Sequence, residues 1–208
     1  VMNSSKIKCF TILFLAIISI SGCKKFLELD PPYTQDAENY FENPKDYEMA
    51  LIGAYDLLQA SFLTLWIGEI ASDNSIAGGE SVNDTEGLHQ IDNMTHGAVN
   101  TELRNVFRWN YAGIARTNYI LENRDNIDFA GKDKIIAETK FLRAYYYFEL
   151  VKYFGAVPLI IDKRLGVDEV TETTRTTVEE VYQQIEKDLN ESITVLDWFA
   201  EIKGRVDK

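Results

Sequence analysis

Between Ser72 and Asn100 the chain carries a long, polar, glycine-containing run suited to hydrogen bonding a polyhydroxylated ligand. Asp73, Asn74, Asn83, Asp84, Gln90, Asp92 and Asn93 supply planar carboxylates and amides there. A pyranose has a hydroxyl rim and an apolar face, so such groups recognise it best beside an aromatic ring. The run itself has no aromatic residue, and the nearest tryptophans are Trp66 and Trp109. Unstructured loops longer than ~12–15 residues are mostly binding loops or disordered segments. A solvated surface loop that touches no ligand fits the same composition.

A second chemical feature is Cys23. Lys6 and Lys8 precede an apolar run from Cys9 to Ile20, and Ile20-Ser21-Gly22-Cys23 closes it. A positive start, a short apolar stretch and small residues before a cut make a secretory signal. The run falls short of the ~20 residues that cross a bilayer comfortably. The final cysteine resembles a bacterial lipobox, in which the thiol is acylated and cleavage makes Cys23 the new N-terminus. An ordinary signal peptide or an N-terminal helical anchor is the alternative.

No other grouping amounts to a reactive centre. His89 and His96 stand seven apart without the spacing of a zinc site, and Asp73-Asn74 falls far short of a calcium loop. Gly78-Gly79 lacks the strand before and the helix after that a phosphate loop needs. Glu138 and Arg143 are five apart on one helix and do not face each other. Each is expected to pair with a neighbouring helix. The sequence offers no catalytic constellation, no metal set and no cofactor motif.

Four long helices must position these groups. The first is expected over 45–62, with Tyr47, Leu51, Ala54, Leu58 and Phe62 inward, behind the Asn43 cap and Pro44. The second spans 101–123 and the third 132–154. The third is apolar nearly all round from Phe141 to Val151, so it belongs inside, and Gly155 stops it. The fourth spans 178–199, opened by a Thr177/Glu180 capping box. Trp66 and Trp109 are expected to pack in the core, and Trp198 to be partly exposed. Ala156–Ile161 reads as an extended strip or one short strand. The fold class is therefore mainly α: TPR-like helix pairs in an α-α superhelical arrangement, with a long polar loop and at most minor β.

Composition narrows the functions. The 208 residues hold 25 aromatic residues, enough for a packed core. Formal charge is −12; without Lys6 and Lys8 the 21 cations fall to 19 against 33 acids, a net −14. Such a chain repels phosphate backbones and anionic headgroups, which argues against nucleic acid. Membrane attachment then falls to the lipid, and with Cys9 removed and Cys23 acylated no disulfide is left to form.

The third helix and its exit, Ala137-Glu-Thr-Lys-Phe-Leu-Arg-Ala-Tyr-Tyr-Tyr-Phe-Glu-Leu-Val-Lys-Tyr-Phe-Gly-Ala-Val-Pro-Leu159, resemble the signature of the SusD/RagB lipoproteins of Bacteroidetes-type bacteria. Cys23-Lys-Lys-Phe-Leu-Glu-Leu-Asp-Pro-Pro32, Ala71-Ser-Asp-Asn74, Tyr111-Ala-Gly-Ile-Ala-Arg-Thr-Asn118, Arg175-Thr-Thr-Val178, Ile185-Glu-Lys-Asp-Leu189 and Gly204-Arg205 follow in the same order. The resemblance implies a non-catalytic outer-membrane lipoprotein facing the cell surface. It would bind a nutrient, most often an oligosaccharide, for a SusC-like TonB-dependent transporter, with ligand contacts in the 72–100 region. A lipid-anchored glycoside hydrolase and a TPR-like scaffold are the other readings. The expected organisation is a signal peptide over 1–22, a lipidated tether over 23–43, and a SusD-like helical domain over 44–208 that stops before further helices and a C-terminal domain.

Overall fold

The computed structural model describes residues 40–81, 83–161 and 163–208. Cys23, the signal segment and most of the tether lie outside them.

Caps set where the helices start. Asn43 Oδ1 accepts from the Asp46 N–H at 3.3 Å, and the Asp46 carboxylate accepts from the Asn43 N–H at 3.3 Å. This reciprocal cap opens α1, Pro44–Asp56, with Pro44 in the first turn. A 3-10 turn over Leu57–Ala60 then leads into α2, Ser61–Ile70. A short α3, Glu86–Asp92, lies within the polar run. Asn100 caps α4, Thr101–Glu122, by accepting from the Glu102 and Leu103 N–H groups at 3.0 and 3.1 Å.

Helix α5, Lys132–Phe154, runs between Gly131 and Gly155, whose φ angles of 89° and 63° suit glycine at both ends. The four-residue α6, Val167–Val170, follows, and Thr177 and Glu180 form the expected capping box of α7, Val178–Val195. Two boundaries differ from the sequence reading. The first helix is divided by the 3-10 turn, and the fourth ends at Val195 instead of 199. The β-branched run Ile193-Thr194-Val195 weakens that last turn, and Leu196 leaves it extended, at ψ 145°.

Side-chain pairs give the register. Tyr47 reaches Asn123 and Arg116 reaches Gly53, so α1 and α4 are antiparallel. Arg143 meets Asn118, and a Cβ on Gly113 would touch Tyr146, so α4 and α5 are antiparallel as well. Lys140 with Glu191, Arg143 with Asp188 and Phe148 with Tyr182 repeat the pattern for α5 and α7. This is the mainly α arrangement of helix pairs that periodicity predicted.

Helix α5 is central, with Leu142, Ala144, Tyr146, Tyr147 and Leu150 buried against Tyr47, Leu51, Ala54, Ile114, Leu121, Val181 and Ile185 of the core. Burial leaves its tyrosine hydroxyls few partners, so they donate to carbonyls: Tyr146 to Ala54 at 2.6 Å and Tyr147 to Ile160 at 2.8 Å. Desolvation pushes both hydroxyls far above the usual tyrosine range, which keeps them neutral donors.

The strip over 156–161 makes no strand among the described residues. It forms one isolated antiparallel bridge, Val157 to Thr176. After α7 the chain turns back as a strap fixed by Arg205. Its guanidinium donates to Glu48 at 2.6 Å and to the buried Glu138 at 2.5 Å. Tyr55 also donates to Glu138, at 2.8 Å. Arg143 donates through two nitrogens to Asp188, both at 2.8 Å, and through a third to Asn118 at 3.1 Å. Glu138 and Arg143 thus pair with neighbouring elements, not with each other.

Candidate functional site

The 3-10 turn decides what α2 exposes. Its residues advance 120° each against 100° in an α-helix, so four of them rotate the following face by about 80°. Leu57 takes the buried position where a continuous helix would have put Leu58. Phe62 and Trp66 turn outward, 48% and 53% exposed, and their rings meet edge to face at 5.4 Å. On α4, Trp109 is 45% exposed. The expectation that both tryptophans pack in the core is therefore corrected.

Phe62 and Trp109 wall a cavity of about 260 Å³ whose other lining residues are Asp56, Gln59 and Ala60. Asp56 accepts from Gln59 Nε2 at 2.6 Å and from Arg116 Nη1 at 3.3 Å. Arg116 donates again to the Gly53 carbonyl. The carboxylate is thus held at a fixed angle while both its oxygens keep further acceptor capacity. Aromatic rings that line one cavity with a planar carboxylate and amide suit a pyranose, faces on the rings and hydroxyls on the polar pair.

The polar run is more ordered than a bare loop. Asn100 Nδ2 donates to the Gly87 carbonyl at 2.9 Å and to Gln90 Oε1 at 3.0 Å, tying α3 to the start of α4. Ile91 packs with Ile67 and Val106 in a small apolar cluster beneath it. The seven candidate residues divide in two. Asp84 accepts from the Glu80 and Ser81 N–H groups, Asp92 from the Ala77 N–H, and Asn93 donates to the His89 carbonyl. These three hold the run's own backbone, and Gln90 is tied to the Asn100 and Glu86 side chains. Asp73, Asn74 and Asn83 are exposed, with side chains in no hydrogen bond among the described residues. None of the seven lines the Phe62–Trp109 cavity.

Sequence reasoning overlooked Asp56, Gln59 and Phe62. A signal was present: Phe62-Leu-Thr-Leu-Trp66 is too apolar for a helix that can bury only one face.

A larger cleft of about 520 Å³ between α4 and the 158–173 segment is lined by Phe107, Tyr111, Ile114, Pro158, Ile160 and Val170 among others. Its polar groups are already engaged. Tyr111 donates to the Pro158 carbonyl at 2.7 Å, Asn118 to two carbonyls, Lys163 pairs with Glu169 and Arg164 with Glu122. It offers apolar surface with few groups for hydroxyls. No three of His, Cys, Asp and Glu converge as a metal site among the described residues.

Residues 25–206 match the family model for SusD-like proteins, described as starch-binding and associating with the outer membrane. The chain belongs to the SusD-like family. SusD-like protein P38 of Formosa agariphila is 28% identical over 194 residues, 90% of this chain and 37% of that protein. Among solved structures, a laminarin-binding SusD-like protein is 31% identical with a TM-score of 0.75, over 80% of this chain and 38% of that one. Surface glycan-binding protein A from Bacteroides uniformis is 28% identical with a TM-score of 0.68, over 79% and 39%. The chain thus spans 37% of the length of the curated SusD-like relatives it matches.

Proposed function

We propose that this SusD-like protein binds an oligosaccharide at the outer membrane and passes it to a SusC-like TonB-dependent transporter. The observation that carries the reading is the cavity that the exposed Phe62 and Trp109 line together with Asp56 and Gln59. Similarity to a laminarin-binding SusD-like protein and to a surface glycan-binding protein supports the ligand class. The polar side chains of Asp73, Asn74 and Asn83 offer further hydrogen bonds to a longer chain.

The protein acts by binding. Glycoside hydrolysis uses two carboxyl groups about 5–10 Å apart, and Asp56 is the one carboxylate lining the cavity. In calorimetric titration with neutral oligosaccharides, Trp109→Ala is expected to weaken binding about tenfold, the ~1.4 kcal/mol of one lost aromatic contact. Its side chain is about half buried, so the melting temperature should fall by only a few degrees. Unaltered affinity in both Trp109→Ala and Phe62→Ala would remove the site. Cleavage of the sugar, abolished by a single carboxylate substitution, would favour the hydrolase.

A diacylglycerol on Cys23 is proposed as the anchor. One acyl chain holds only marginally, at ~0.8 kcal/mol per buried CH₂, so more than one chain is needed. Cys23→Ala is expected to abolish incorporation of labelled fatty acid and to release the protein from the membrane fraction. Unchanged fractionation would refute the anchor.

A further inference from the structure

The chain segment that supplies most of the aromatic cavity carries charge of one sign. Residues 46–103 contain no lysine or arginine, and they hold ten acids. These are Asp46, Glu48, Asp56, Glu69, Asp73, Glu80, Asp84, Glu86, Asp92 and Glu102. This stretch supplies four of the five cavity residues and the whole polar run, with Trp109 the only contribution from outside it.

Asp56 stands in the cavity wall, so its charge acts at contact range on anything placed between Phe62 and Trp109. The cation beside it is Arg116, whose Nη1 donates to both Asp56 and the Gly53 carbonyl and so pairs its charge with that carboxylate. On α4, Trp109 and Arg116 are seven residues apart and share a face. Arg108 is about 100° round the helix from Trp109, and Arg104 precedes it by one turn on that other face. Neither lines the cavity.

We infer that the ligand of this site is an uncharged glycan, and that the site discriminates against uronates and sulfated sugars through Asp56 and the base-free acidic segment that carries it. The inference rests on the glycan-binding reading and narrows it to a chemical class. A neutral pyranose uses Asp56 as an acceptor for its hydroxyls and meets no repulsion. A uronate brings its carboxylate up to Asp56 in a cavity lined by no lysine or arginine, and Arg116 beside it is already paired with Asp56. The repulsion is screened by salt, whereas hydrogen bonding and stacking of a neutral sugar are not.

The test uses the full chain and a panel of neutral hexasaccharides (laminari-, cello-, malto- and mannohexaose), each with its C6-oxidised counterpart of the same linkage. At about 0.01 M salt, where the Debye length is ~30 Å, the oxidised form of the best neutral ligand is expected to bind at least ~10-fold more weakly. The ratio should shrink at about 1 M salt, where screening falls to ~3 Å. Asp56→Asn should reduce the ratio at low salt, whatever it does to neutral affinity. An oxidised sugar that binds as tightly as its neutral parent, or more tightly, overturns the inference and leaves glycan binding standing. If no member of either set binds, the glycan-binding reading itself fails.

Discussion

Arg143→Ala is expected to cost about 3–5 kcal/mol of stability, the range for removing one partner of a buried ion pair. For a domain of this size that lowers the melting temperature by roughly 6–20 °C, at ~2–4 °C per kcal/mol. The Arg143 and Asp188 side chains are 4% and 1% exposed, and the guanidinium meets both carboxylate oxygens at 2.8 Å. Gln184 Nε2 donates to the same carboxylate at 3.0 Å, and Asn118 Oδ1 accepts from Arg143. Truncating the arginine strands a carboxylate in the interior and orphans an amide oxygen. Lysine would not rescue it, because an ammonium cannot reproduce the two-pronged contact. Replacing both partners, Arg143→Met with Asp188→Leu, should recover most of the loss, since a matched apolar pair leaves no unpaired charge. Denaturant melts of Arg143→Ala, and of Arg143→Met and Asp188→Leu singly and together, check this, and a near-additive cycle would show that the pair is not coupled.

Gly113→Ala should destabilise by about 2 kcal/mol, against what helix propensity alone predicts. Alanine in a helix interior is favoured over glycine by about 1 kcal/mol. At Gly113, however, a Cβ would lie 2.5 Å from the Tyr146 ring. That ring has nowhere to go, because it is buried and its hydroxyl is held on the Ala54 carbonyl at 2.6 Å. Overpacking of this kind costs about 1–3 kcal/mol, and the tyrosine hydrogen bond is lost if the ring shifts. Gly53, in the middle of α1, is the internal control. A Cβ there meets nothing within 4 Å, so Gly53→Ala should stabilise by up to about 1 kcal/mol. Opposite signs in one assay are the expected result. Equal signs would mean that packing at Gly113 is looser than the geometry shows.

The helical frame was legible because its signals are local. Asn43-Pro44, Thr177 with Glu180, and Gly155 mark ends through caps that need no tertiary context. The all-round apolar stretch from Phe141 to Val151 placed α5 inside for the same reason. What escaped was phase. A continuous 3.6-residue period carried the stripe from Leu58 to Phe62, and the 3-10 turn at Leu57–Ala60 broke it. That single rotation moves Phe62 and Trp66 from the core to the surface and brings Asp56 and Gln59 to one cavity. Trp109 was misplaced because α4 turns Val106 and Asn110 inward, which leaves Trp109 beside the buried stripe and not in it.

The polar run was recognised as hydrogen-bonding material, but its residues serve two purposes that composition cannot separate. Asp84 and Asp92 bond backbone N–H groups of their own run, while Asp73 stands exposed. The aromatic face of the proposed sugar site comes from outside that run, contributed by two helices whose meeting depends on the antiparallel pairing of α1 and α4.

A crystal structure of the full chain, soaked with the neutral hexasaccharide that binds most tightly, tests the account most directly. The predicted result is a pyranose ring stacked on Trp109 or Phe62, with hydroxyls on Asp56 and Gln59. A sugar bound elsewhere, with the Phe62–Trp109 cavity empty or covered by another part of the protein, would contradict it.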